Sequence, residues 1–92
     1  MNIDSYVQTL KSNDYEERQD AAMALGYLKA KEAIPYLISA LSDENVSVRY
    51  KASDALGMIG ELSIEPLLKI IETKDGSIRQ VVVHALGKTG NP

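Results

Sequence analysis

An all-α fold of stacked helix pairs is what this sequence predicts, and three observations carry the expectation. The stretch RQDAAMALG (Arg18–Gly26) recurs as RYKASDALG (Arg49–Gly57) and again as RQVVVHALG (Arg79–Gly87), at offsets of 31 and then 30 residues. A second motif alternates with it: AIPYLISAL (Ala33–Leu41) matches SIEPLLKII (Ser63–Ile71), and NIDSYVQTL (Asn2–Leu10) matches both. Within each motif the apolar residues are spaced by three and four, which puts them on one stripe of a helix. A fixed period of about 30 residues marks a repeat architecture, in which each unit hides its apolar face only by stacking on the next.

Taken in order, the first helix is predicted over 3–11, with Ile3, Tyr6, Val7 and Leu10 as its stripe. The second, over 14–28, opens on Asp14, whose carboxylate suits an N-cap, and carries Glu17 in the first turn, where the helix dipole favours an anion. Its stripe is Ala21, Ala22, Leu25 and Leu28. The third, over 32–42, has Pro35 in its opening turn, where a missing N–H costs little, and the stripe Ile34, Leu37, Ile38 and Leu41. The fourth, over 45–59, begins at Asn45 and repeats the second's stripe with Ala52, Leu56 and Ile59. The fifth, over 62–73, repeats the third with Ile64, Leu67, Leu68 and Ile71 and carries Pro66 early. The sixth, over 75–89, opens on Asp75 and begins another stripe with Val82, Val83 and Leu86. Gly26, Gly57 and Gly87 fall near the ends of the even-numbered helices, where glycine ends or kinks a helix or lets a neighbour approach. Short connections make successive helices antiparallel neighbours. The organisation expected is one domain, 1–92: a half repeat (1–11), two repeats (12–42 and 43–73) and a second half repeat (74–92).

Composition narrows the function classes. The 92 residues are 45% apolar and 25% charged, as in an ordinary soluble domain, with neither Phe nor Trp. Small aliphatic side chains suit close helix–helix packing. A net charge of −3 offers no general attraction to phosphate. Without cysteine there is no disulfide frame and no thiolate metal site. No apolar run approaches the length of a membrane span, and the opening MNIDSYVQTL lacks the basic and apolar segments of a signal peptide. A cytoplasmic location is the resulting expectation.

The pattern R-x-x-A-x-x-A-L-G-x-[LI], followed by A-I-P-x-L or S-I-E-P-L, resembles the HEAT-repeat superfamily. More narrowly it resembles the short repeats named after phycobilisome lyase subunits. The likeness covers essentially the whole chain. It implies a right-handed α-solenoid of HEAT-like helical hairpins with six helices. The odd-numbered (B) helices would line the concave face and the even-numbered (A) helices the convex face, in the order B0-A1-B1-A2-B2-A3. It also implies that Arg18, Arg49 and Arg79 pair with acidic residues of adjacent repeats. Asp43 supplies one such acid, whereas Ser12 and Thr73 stand where it would recur, so a full ladder does not follow. A role like that of the lyases would need a tetrapyrrole site, and no residue of the sequence marks one.

Residue types that carry chemistry are sparse. His84 is the single histidine and occupies the repeat position of Met23 and Asp54, on the outer face. With no second histidine and no cysteine, a usual zinc site cannot be built. The acidic run Asn13–Asp20 lies at a helix start and lacks calcium-loop spacing. No nucleophile elbow is present, and the glycines follow helices, so they form no phosphate cradle. Lysines at 11, 29, 31, 51, 69, 74 and 88 are dispersed rather than clustered as a nucleic-acid surface requires.

The expected role is therefore non-catalytic, without metal or cofactor: a scaffold that binds another protein or a second copy of itself, and neither nucleic acid nor membrane. Candidate partner-binding residues on the concave face are Ser5, Gln8, Thr9, Tyr36, Ser39, Lys69 and Ile70; Tyr36 and Ile70 either pack between adjacent B helices or serve as an anchor pair. Ile78, Val81, Val82 and Val83 form a candidate end interface, since no further B helix follows to cover them. The alternatives are a part in an enzyme complex of the phycobilin lyase type, and a fragment of a longer HEAT-repeat regulatory protein.

Overall fold

The computed structural model describes residues 2–72 and 76–90. Six α-helices follow one another among them: α1 (Ile3–Thr9), α2 (Tyr15–Tyr27), α3 (Ile34–Ala40), α4 (Val46–Ile59), α5 (Ile64–Ile71) and α6 (Gly76–Lys88). Short 3-10 turns, Lys31–Ala33 and Glu61–Ser63, lead into α3 and α5. The chain is an α-solenoid of helical hairpins. The long helices α2, α4 and α6 stack side by side, and α1, α3 and α5 pack onto α2, α4 and α6 respectively. Each terminal half repeat thus finds a partner, α1 against α2 and α6 against α5.

The starts of the helices follow the sequence. Asp14 accepts a hydrogen bond from the Glu16 amide at 2.9 Å, and Asn45 accepts from the Ser47 and Val48 amides at 2.9 and 3.2 Å. Asn2 caps α1 in the same way. Asp75, expected to cap α6, lies outside the described residues, as does Thr73.

The ends do not follow it. Gly26, Gly57 and Gly87 lie inside α2, α4 and α6 and terminate nothing. Reversal comes three residues later, at Lys29, Gly60 and Gly90, which share one repeat position and have φ of +49°, +91° and +80°. After α2 this is a Schellman turn: the Lys29 amide donates to the Gly26 carbonyl and the Ala30 amide to the Leu25 carbonyl. Leu25 and Ala30 are both buried there.

Of the roles expected for these glycines, close approach of a neighbour is the one that Gly26 and Gly57 play. A Cβ on Gly26 would lie 2.7 Å from the Cα of Ala55, and one on Gly57 would lie 2.3 Å from the Cβ of Lys88. Neither separation is possible between non-bonded carbons, so the missing side chains set how closely α2 approaches α4 and α4 approaches α6.

The core runs through the molecule as one cluster. Leu25, Leu37, Leu41, Leu56 and Leu67 are fully buried within it. Two stripe positions depart from expectation. Leu68 is 47% exposed and Val83 is 59% exposed, on α5 and α6 at the end of the stack. The equivalents of Val83 earlier in the chain, Ala22 and Ser53, are fully buried, and those of Leu68, Val7 and Ile38, are buried and partly buried.

Candidate functional site

The face made by α1, α3 and α5 carries two grooves, one between each consecutive pair of short helices. The groove between α3 and α5 is lined by Ile34, Pro35, Ile38, Pro66, Lys69 and Ile70 and encloses about 440 Å³. Its walls are apolar apart from the Lys69 ammonium. Proline at the opening turn of each flanking helix presents a rigid ring and no N–H to the groove. The groove between α1 and α3 is smaller, about 230 Å³, and more polar: Lys11, Tyr36, Ser39 and Asp43 stand around Val7, Leu10 and Ala40.

The structure therefore sorts the candidate residues. Lys69 and Ile70 come together in the first groove, and Tyr36 and Ser39 in the second. Tyr36 and Ile70 consequently line separate grooves. Ser5, Gln8 and Thr9 lie on α1 and line neither. The Thr9 hydroxyl is taken up by the Ser5 carbonyl at 2.9 Å within the same helix. Sequence reasoning placed Ile34 and Ile38 wholly in the core stripe. The signal that marks them as groove wall is their position beside the two prolines.

The expected end interface contracts to one side chain. Ile78, Val81 and Val82 are buried at 5%, 1% and 0% exposure, because α6 packs on both α4 and α5. Only Val83 remains at the surface.

On the outer face, like repeat positions of consecutive helices meet. Asp54 and His84 are equivalents, and the His84 Nε2 lies 2.6 Å from the Asp54 carboxylate. Lys88 approaches the same oxygen at 3.4 Å, and the Tyr50 ring meets the imidazole edge-on at 5.2 Å. The half-exposed pair links α4 to α6.

The expected arginine ladder has one complete rung. Arg18 donates from Nε and Nη2 to both oxygens of Asp43, at 2.9 and 3.0 Å, and from Nη1 to the Ser12 carbonyl at 2.8 Å. The fork to the carboxylate raises the guanidinium's pKa still further, despite the opposing effect of desolvation. Arg49 donates to the Asp43 carbonyl at 2.8 Å, six residues back, as Arg18 does to Ser12. Arg79 is exposed.

The sequence profile of HEAT repeats matches residues 3–87. The chain belongs to the HEAT-repeat family. It is 34% identical over 79 residues to the bilin biosynthesis protein PecE of Mastigocladus laminosus, covering 84% of this chain and 29% of that protein. It is 37% identical over 81 residues to the deoxyhypusine hydroxylase of Neurospora crassa, covering 84% of this chain and 25% of that one. With the phycocyanobilin lyase subunit beta of Pseudanabaena tenuis it shares 30% over 73 residues, 79% of this chain and 26% of the subunit. The solved structure of human deoxyhypusine hydroxylase in complex with glycerol superposes with a TM-score of 0.75 at 24% identity, covering 95% of this chain and 31% of that chain. That likeness shows the solenoid fold.

The chain thus spans between a quarter and a third of each of these HEAT proteins. The sequence relatives correct one expectation. They are named as a hydroxylase, a lyase subunit and a bilin biosynthesis protein, so the expectation of a chain with no enzymatic role is overturned. Among the described residues no helix is long and apolar enough to cross a membrane.

Proposed function

We propose that this HEAT module serves an enzyme or enzyme complex of the phycobilin lyase type, and that its α3–α5 groove holds an open-chain tetrapyrrole. The observation that carries this reading is the chemistry of the groove. A bilin is a flat conjugated chain of rings bearing carboxylate side chains. Ile34, Ile38, Ile70 and the two prolines supply apolar walls for the rings, and Lys69 supplies one cation for a carboxylate. Binding sites of this kind join a mostly apolar surface to a few placed polar groups. The groove is open on one side, which leaves the outward edge of a bound bilin for the protein that receives it. A partner chain therefore belongs to the proposal, and the relative named as a lyase subunit supports it. Likeness to deoxyhypusine hydroxylase supports the same broad role, a repeat module within an enzyme.

Titration with phycocyanobilin, followed by visible absorbance, tests the reading. The expected result is a saturable change in the bilin's red band. Lys69→Ala should weaken the binding, and Ile70→Asp should abolish it, provided circular dichroism shows both variants folded. No spectral change with the wild-type chain would sink the proposal.

A further inference from the structure

The contact between α2 and α4 is repeated between α4 and α6, and both halves of that contact recur unused at the ends of the stack. Gly26 seats Ala55 and Met58, whose atoms would lie 2.7–3.1 Å from a Cβ placed there. Gly57 seats the equivalent pair, Ala85 and Lys88. Gly87 is the third glycine of the series, and nothing among the described residues comes within 4 Å of its Cβ position. At the other end, Ala24 and Tyr27 hold the repeat positions of Ala55 and Met58. Tyr27 is 71% exposed, the highest value among the large apolar side chains of the described residues.

Polar groups follow the same register. The Ser47 hydroxyl donates to the Gln19 amide oxygen across α2 and α4, and the equivalents left over at the two ends are Glu16 and Gln80, both exposed. Arg18 forks onto Asp43, and the equivalents left over are Arg79 and Ser12. At Ser12 the missing carboxylate is replaced: its hydroxyl donates to Glu17 at 2.6 Å, which sets an acid beside the Asp43-like position.

We propose that the outer edge of α6 seats α2 of a second copy of this chain. Gly87 receives Ala24 and Tyr27, Gln80 donates to Glu16, and Arg79 meets Glu17. The occupant is argued from complementarity, since the two end faces are the separated halves of a joint the molecule makes twice within itself. A basic and amide-bearing edge also meets an acidic one. Because the two faces differ, the contact is heterologous, and each added copy exposes the same face again, so assembly extends head to tail. Neither face shares a residue with the α3–α5 groove, so bilin binding and self-association are tested separately.

Light scattering of the 92-residue chain, from roughly 10 μM to roughly 1 mM, reads the outcome. The expected mass rises through successive multiples of the monomer, and less steeply at high salt, where exposed charges are screened. Gly87→Leu blocks one face and Tyr27→Glu the other. Each alone should stay monomeric, with unchanged circular dichroism. Mixed together they should form a dimer that does not grow, because each retains the face the other has lost. A monomer at every concentration would overturn the proposal and leave the α6 edge to a different chain. So would a dimer that closes without extension, or growth that survives both substitutions.

Discussion

Single positions show where the repeat is consistent and where it is compromised. Lys29, Gly60 and Gly90 share a left-handed backbone position, but only Lys29 carries a side chain there. A non-glycine residue at positive φ is strained by about 1–3 kcal/mol, partly offset by the backbone entropy that glycine would lose on folding. Lys29→Gly should therefore raise stability by up to about 1 kcal/mol, and Gly60→Ala should lower it by about 1–3 kcal/mol, both read from urea unfolding. Ser63 offers a second test. Its hydroxyl is fully buried without a hydrogen-bond partner among the described residues, and the equivalent residue one repeat earlier is the equally buried Ala33. An unmade buried hydrogen bond costs about 1–3 kcal/mol, so Ser63→Ala should stabilise the fold by about 1 kcal/mol. The sequence showed the alignment of these positions. The sign of φ at Lys29 and the orphan state of the Ser63 hydroxyl depend on neighbours that no local pattern specifies.

At the scale of elements, type and order were legible and the boundaries less so. Spacing by three and four, with Asp14 and Asn45 as caps, located α2 and α4 to within about a residue at their starts. The short helices α1, α3 and α5 are each trimmed relative to expectation, and 3-10 turns lead into two of them. The glycines left two roles open for a physical reason. Near the end of an apolar stripe a glycine equally suits a helix stop and a close approach, and only the position of the next helix decides between them. Asn45 joins two elements: it caps α4, and its own amide donates to Asp43, which also receives Arg18 from α2. Asn45→Ala should cost about 1 kcal/mol in thermal or urea unfolding. Asp43→Ala should lower the melting temperature by more than Asp20→Ala does, because Asp20 is exposed and outside this network.

For the whole molecule, the likeness to HEAT repeats was readable because the residues that stack helices are the ones that recur. The groove was not, because Ile34, Ile38 and Ile70 look like core until the distance between α3 and α5 is known. Stacking also predicts how damage spreads. Leu56→Ala, at the centre of the shared core, should cost about 2–5 kcal/mol and affect every layer together. The glycine series tests the stacking most directly. Alanine is a better helix former than glycine by about 0.5–1 kcal/mol when its Cβ has room. Urea denaturation of Gly26→Ala, Gly57→Ala and Gly87→Ala, at concentrations that keep the chain monomeric, should give opposite signs. The first two should lose about 1–3 kcal/mol by overpacking against α4 and α6, and the third should gain stability. Three changes of the same sign would contradict the proposed role of glycine in the joints between the long helices.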